Sequence, residues 1–428
     1  MLRYAVLVLM LLTLSAHAAE DRMVDINGLP VILDTLPEGL VSPDGLGLVV
    51  PPIVTGKMLY QGERFTDCPL AIVTPKGDYL MMSPVGRHYA RDLKNKCNTM
   101  MAFRSKDKGK TWSGPTVAYD IDYSQHGFIP LIPKGTSRIY NFGTQPIIKL
   151  REGMENASIG FRYSDDDGYT WSKVELIKPE GEPDFRGMSC MRMTETDTGA
   201  WLLGSHEGDW TKNPLQTRQY ILRSEDQGKT WTIGPKPRPD GWYVPKFGRM
   251  DEGRPIALGN GKVLMMMRTP EGHLWTARSE DDGKTWSDPA PTPLIHPDAP
   301  PMLFHLSDGK TLAAFHHNRH GDTVYTTLDS NKGEMMKDRQ EVWVSLSTDE
   351  GKTWSGPRFV YANAMTKKLQ NAWWTYNCSY MDMFVDDGVL NLFFPHRWSR
   401  LMHLQLKEED LNKLPTIEQL KAMLTSTK

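Results

Sequence analysis

SEDQGKTW at residues 224–231 is one of five copies of a single phrase. The others are SKDKGKTW from Ser105, SDDDGYTW from Ser164, SEDDGKTW from Ser279 and STDEGKTW from Ser347. The starts lie 59, 60, 55 and 68 residues apart, a period that marks a repeat architecture whose units bury their faces on one another. Within each copy the third-position Asp accepts hydrogen bonds from the amides of a tight turn. The following Gly allows positive φ, Ser and Thr close the turn, and Trp offers an apolar anchor. Each copy follows a strand-like run such as MMAFR, YILR or LWTAR, so each reads as a hairpin between two strands. The phrase is scaffold, and its exposed carboxylates carry no chemistry.

Working outward from the phrases, the apolar runs give an inner strand, a second strand, a third ending at the phrase and a fourth beyond it. The order recurs from CPLAIVTPKG in the first unit to PPMLFHLSDG in the fifth. A sixth unit, CSYMDMFVDDG, VLNLFFPH and LMHLQLK, keeps the pattern without the phrase. The expected fold is all-β, a six-bladed β-propeller at 20–407. Its ring is closed by the N-terminal segment 22–60, with VILDTL and GLGLVV, which removes a free sheet edge. Residues 408–428 read as a short peripheral helical tail interrupted by Pro415.

Residues 1–19, MLRYAVLVLMLLTLSAHAA, have Arg3 before an apolar stretch and a small-x-small end at Ala16 and Ala18. This is a cleavable signal peptide, and it predicts a secreted or periplasmic protein. No later segment is apolar enough for a membrane span, and a formal net charge of −2 without long charge runs gives nucleic acid no footprint. Export permits disulfides. Cys68, Cys97, Cys190 and Cys378 match no zinc spacing, which leaves buried thiols or one bridge such as Cys68 to Cys378.

Residues just before each blade's first strand and just after its second crowd around a central funnel. Those positions hold Asp67, Arg87, His88, Asp92, His126, His206, Asp251, Glu252, Arg268, His296, Asp298, His316, His317, Tyr376, Tyr380 and Arg397. Such a set suits a hydroxyl-rich anionic ligand, a glycan, with guanidinium groups for a carboxylate. No cofactor is called for. A metal at His316, His317 and His320 is disfavoured because adjacent histidines on a strand point to opposite faces.

With these residues in view, the chain resembles the sialidase superfamily, six-bladed propellers carrying such Asp-boxes, as a divergent member. The resemblance implies a retaining exo-glycosidase on terminal acidic sugars, with three clamp arginines, a Tyr nucleophile, its Glu partner and an Asp acid/base. EGRPIALGNGKVLMMMR matches the pattern for Glu252 and Arg268, and Arg339 stands eight residues ahead of the fifth box serine. YMDMFVDDG offers Tyr380 as nucleophile, with Tyr376 as rival, and RHYARD supplies Arg87 and Asp92 beside His88. Two departures stand out. Asp67-Cys68-Pro69 replaces an Arg-Ile-Pro phrase, and Pro395, followed by His396 and Arg397, replaces a Glu. They leave two alternatives open: a lyase or hydrolase on a uronic-acid glycan using His or Tyr, and a non-catalytic glycan binder.

Overall fold

The computed structural model of the chain describes residues 22–26, 29–33, 36, 40, 47–49, 54–61, 65–66, 68–86, 98–121, 129–145, 156–209, 211–212, 215–319, 339–363, 365–366, 378–396 and 400–425. Six antiparallel sheets follow one another around an axis, four of them four-stranded and those of blades 1 and 5 carrying a fifth short strand, the six-bladed propeller that the repeats imply. Blade 4 shows the plan: Asp251–Gly259 innermost, then Lys262–Arg268, His273–Ser279 and Ala290–Ile295. Its register fixes two functional ends. Asp251 pairs with Arg268 at one end of the blade, and Val263 pairs with Ser279, the first box residue, at the other. The box turns and the funnel residues therefore occupy opposite ends of the strands.

Blades are stacked on both faces, so inner strands carry continuous rather than alternating apolar runs. Val263, Leu264, Met265, Met266 and Met267 are all fully buried, against blades on either side. Between blades 2 and 3, Phe142, Phe161, Trp201, Tyr220 and Trp231 form one aromatic cluster, with Phe142 edge-on to Trp201 at 5.9 Å. Such rings add about 0.5–1.5 kcal/mol per pair beyond the area they bury.

Each box is wired as its sequence implies. In the third box, Ser224 Oγ donates to Asp226 Oδ1 (2.8 Å), the Gly228 amide donates to Ser224 Oγ (2.8 Å), and Thr230 gives its amide and hydroxyl to the two Asp226 oxygens (2.8 and 2.7 Å). Gly228 sits at φ +86°, and a Cβ there would meet Trp201 at 2.9 Å, so glycine is required twice over. The boxes also fasten neighbouring blades. Arg104, Arg223 and Arg278, each one residue before a box serine, donate to the backbone carbonyls of Asp167, Asp282 and Glu350 in the next blade's box (2.7, 2.8 and 2.8 Å). Among the box tryptophans with described burial, Trp231 is fully buried while Trp112, Trp171, Trp286 and Trp354 are half-buried.

The ring is closed by the N-terminal segment, though by a different stretch from the two expected. Val54–Gln61 is the fourth strand of blade 6, antiparallel to Arg400–Lys407. Gly47–Leu48, from GLGLVV, lies on the outer edge of blade 5, and Leu29–Ile32 pairs with Arg22–Ile26 in a small separate sheet. Burial of Leu48 against Trp343 and Phe359 explains why GLGLVV is apolar without being the closing strand. The tail forms a 3-10 turn at Glu408–Lys413 and a helix at Ile417–Thr425, whose Leu420 and Leu424 pack on the same cluster. No helix among the described residues is long and apolar enough to cross a membrane. Cys68 and Cys378 are buried thiols with no bridge between them, so the disulfide option fails for that pair.

Candidate active site

The first strand of blade 4 opens with a bulge: Asp251 opposes Arg268 and Arg254 opposes Met266, leaving Glu252 and Gly253 as extra backbone between them. Glu252 adopts φ +50°, a left-handed conformation uncommon for a non-glycine residue, and the bulge turns its carboxylate inward. Glycines make room for it. A Cβ on Gly204 of blade 3 would lie 1.9 Å from the Gly253 carbonyl oxygen, so only glycine lets the second strand of blade 3 approach the bulge. From across the axis comes Tyr380, just before the first strand of blade 6 and also left-handed at φ +63°. Two strained backbones converging at one place are a mark of function rather than of folding economy.

Their side chains meet. The Tyr380 hydroxyl donates to Glu252 Oε1 at 2.7 Å, and Arg268 Nη1 reaches Glu252 Oε2 at 2.7 Å and the Tyr380 oxygen at 3.4 Å. All three residues are buried. Burial, and then the Glu252 charge, push the Tyr380 phenol well above its ordinary value, so it is neutral across the physiological range. A neutral phenol bonded to a carboxylate has an acceptor for its proton already in place. Burial opposes the charge on Arg268, yet Asp298, Glu252 and Asp251 together hold its pKa well above the usual value. The Arg268 Nε bonds Asp298 Oδ1 at 2.6 Å.

Asp298 organises the arginines. Its carboxylate also faces Arg249 Nη1 at 3.1 Å, and its backbone carbonyl accepts from Arg339 Nη2. Burial raises the Asp298 pKa, but Arg249, Arg268 and Arg339 more than reverse that, so the carboxylate stays charged. Arg339 is buried near Arg268 and Tyr380, and its backbone carbonyl takes both the amide (2.9 Å) and the thiol (3.0 Å) of Cys378, two residues before Tyr380. The structure thus brings together Glu252, Arg268, Arg339 and Tyr380. Asp67, Arg87, His88, Asp92 and Arg397 lie outside the described residues, as do Tyr376, His126 and His320.

The described funnel histidines are anchored in the scaffold. His317 bonds the Glu341 carbonyl (2.7 Å) and Ser379 Oγ (2.7 Å), while His316 bonds the Ile295 carbonyl (3.0 Å) and Ser345 Oγ (2.9 Å), on opposite faces as strand alternation requires. His206 Nδ1 accepts the Glu252 amide at 3.2 Å. Burial lowers the pKa of each, to about 4 for His316 and about 3 for His317, so these rings are neutral structural partners of the backbone around Glu252 and Tyr380. Among the described residues no group of three His, Cys, Asp or Glu side chains is placed to hold a metal ion. Sequence reasoning missed Arg249, Arg192, Arg254 and Asp382 as axial residues. The signal was present: charged residues on inner strands that are otherwise apolar, MSCMRMT and EGRPIAL among them.

Comparison with known proteins agrees with this architecture. The chain is 25% identical over 270 residues to a sialidase of Clostridium perfringens, covering 56% of this chain and 65% of that one. It is 23% identical over 203 residues to an anhydrosialidase of Macrobdella decora, covering 46% of this chain and 24% of the relative. The match to the first relative thus falls just short of two thirds of its length, and the match to the second covers about a quarter. Among solved structures, Hadza microbial sialidase Hz136 superposes with a TM-score of 0.60 at 17% identity, over 84% of this chain and 69% of that one, a likeness of fold. The profile of the BNR repeat-like domain matches residues 147–392, more than half the chain. Carrying that domain on a six-bladed propeller, with sialidases as its relatives, the chain belongs to the BNR repeat-like family as a divergent relative of the sialidases.

Proposed function

We propose that this protein is a sialidase-type glycoside hydrolase that releases terminal acidic sugars from glycans with retention of anomeric configuration. Tyr380 is the nucleophile: Glu252 takes the phenolic proton as the Tyr380 oxygen bonds to the anomeric carbon and the glycosidic carbon–oxygen bond breaks. Asp92 gives its proton to the departing oxygen. It then takes a proton from the water that attacks the anomeric carbon, while Glu252 returns its proton to the departing Tyr380 oxygen. Tyrosine in place of a second carboxylate is the recognised exception among glycosidases, and it avoids setting a full negative charge against an acidic sugar. Arg268 and Arg339 bind the sugar carboxylate, with Arg87, His88 and Arg397 as further ligand contacts. Asp67, standing where sialidases carry an arginine, favours an acidic sugar that differs from the usual one near that group. The apolar leader at 1–19 supports export to the periplasm or the medium, where glycans are met.

The observation that carries this reading is the 2.7 Å bond from Tyr380 to Glu252, bridged by Arg268. The engaged, neutral histidines weigh against acid–base work by His206, His316 or His317. The test is release of a fluorescent aglycone from a panel of sialic-acid and uronic-acid conjugates. Turnover of an acidic conjugate that disappears in Tyr380→Phe supports the reading. Full turnover in that variant removes Tyr380 from it, and unsaturated uronate among the products selects a lyase.

A further inference from the structure

Beneath Tyr380 the first strands of four blades send side chains to the axis. Arg192 comes from blade 3, Arg254 from blade 4 and Asp382 from blade 6. Phe304 of blade 5 lies under both guanidinium groups, its ring centre 5.1 Å from Arg192 and 5.3 Å from Arg254. Asp382 is committed elsewhere: one oxygen pairs with Arg192 and the other accepts the Ala71 amide of blade 1 at 2.9 Å. Arg254 gives Nη2 to the carbonyl of Met381, the residue after Tyr380, at 3.2 Å. Its Nε and Nη1 are buried and meet no acceptor among the described residues.

A guanidinium keeps its proton here at neutral pH, and a buried charged donor without an acceptor is among the costlier defects a core can hold. Such defects are rare enough in native proteins that each calls for a partner. Glu252 lies near enough to favour the Arg254 charge, but its oxygens already serve Tyr380 and Arg268. Burial, and then the neighbouring Arg192, bring Arg254 down to about 9. Arg192 keeps 25% of its side chain exposed although it sits in the middle of an inner strand.

We propose that Arg254 and Arg192 form a binding position for one small monovalent anion on the propeller axis, directly beneath the turn that presents Tyr380. Its occupant is a compact single negative charge, supplied either as an inorganic halide or, where Arg268 and Arg339 do not take it, as the carboxylate of a sugar acid reaching the pocket floor. The planar Nε and Nη1 donors of Arg254 suit either. Because Arg254 also holds the Met381 carbonyl, the bound anion braces the catalytic turn. This site is separate from the Arg268 and Arg339 pair, whose partners are Glu252 and Asp298, and it does not require the protein to hydrolyse anything.

The test uses the full chain. Thermal unfolding is followed as sodium bromide is raised at constant ionic strength, and crystals soaked in bromide are read by anomalous scattering. The expected result is a midpoint rise of about 2 °C in the wild type at ten times the bromide dissociation constant, no rise in Arg254→Met, and an anomalous peak within hydrogen-bonding reach of Arg254 Nε and Nη1. Free sialic acid and its methyl ester identify the source. If the acid alone abolishes the bromide response, the sugar carboxylate is the natural occupant; if bromide still binds beside the acid, the occupant is inorganic. Absence of both peak and shift in the wild type, or equal shifts in wild type and variant, overturns the proposal. If Arg254→Met does not fold, Arg254→Lys decides: it keeps the charge without the paired donors and should bind bromide about tenfold more weakly, whereas unchanged affinity overturns the proposal. A protein that binds bromide here yet turns over no acidic conjugate leaves this site standing and removes the hydrolase reading instead.

Discussion

The two ends of the propeller are built on opposite principles. At the box end, one eight-residue phrase makes the same hydrogen bonds five times, using residues within four positions of one another. At the funnel end, Glu252, Arg268, Asp298, Arg339 and Tyr380 come from blade 4, the segment after it, blade 5 and blade 6, and no pair repeats elsewhere. The box end is therefore redundant and local, and losing one copy leaves four others fastening the ring. The funnel end is unique and long-range, and no second copy stands in for any of its side chains.

The largest effect expected from this contrast is chemical. Tyr380→Phe deletes one oxygen from a buried site and should lower kcat on the order of 10³-fold or more, with an unfolding midpoint near that of the wild type. Glu252→Gln keeps the shape and removes the base, for a loss on the order of 10²-fold in kcat. By contrast, Asp226→Ala in the third box should leave kcat within about twofold while lowering the unfolding midpoint. Steady-state kinetics beside calorimetry on the three variants breaks the comparison if the box variant loses activity at unchanged stability.

A mutation that couples the two ends comes next. Gly204 belongs to the second strand of blade 3, and a Cβ on it would meet Gly253 and Met265 rather than Glu252 or Tyr380, yet its missing Cβ is what admits the Gly253 carbonyl. Gly204→Ala forces that carbonyl away and with it the bulge that aims Glu252. The expected outcome is a loss of about 2–4 kcal/mol in stability together with a fall in kcat exceeding that in KM. Gly228→Ala, equally strained by its φ of +86° and by Trp201, should cost about 1–3 kcal/mol and leave the kinetics of the folded fraction unchanged. Equal kinetic effects from the two glycines would show that the ends are not separable.

The same contrast explains what the sequence disclosed. Five box phrases determine turn and strand order because their internal hydrogen bonds lie within a few residues, and the sixth unit's copy of the strand pattern completes the blade count. Glu252, Arg268, Arg339 and Tyr380 were legible through the resemblance to sialidases, whose pattern sets each at an offset from a box or a strand end. Arg254 and Arg192 were not, because an arginine inside an apolar strand looks like an edge or a surface position until the strand is known to be innermost. The closing strand was misplaced for a related reason: GLGLVV is more apolar than VTGKMLYQ, but apolarity marks burial under the C-terminal helix as readily as it marks pairing with blade 6.

The smallest effect lies in the acid limb of stability, and it isolates the box carboxylates. Hydrogen bonds from the Thr111 hydroxyl and amide, with Ser105, hold Asp107 down to about 2, below the roughly 3.9 of an unfolded chain. A carboxylate depressed in the folded state gives stability that is complete above about pH 4 and is lost as the pH falls toward 2, because the unfolded chain takes up protons first. Asp107→Asn keeps an oxygen acceptor for the same turn and cannot titrate. Its unfolding midpoint should therefore lie about 1 °C below that of the wild type at pH 6, with the gap closing between pH 4 and pH 2. The buried histidines work in an adjoining window. His317 and His403, lowered by burial to about 3, begin to cost stability as the pH falls below the unfolded value of about 6.5. They are the same in both proteins and cancel in the difference. A gap that closes between pH 6.5 and 5, before the carboxylates titrate, would mean that Asp107 acts through the core histidines and that the box end is not electrically separate from the rest of the propeller.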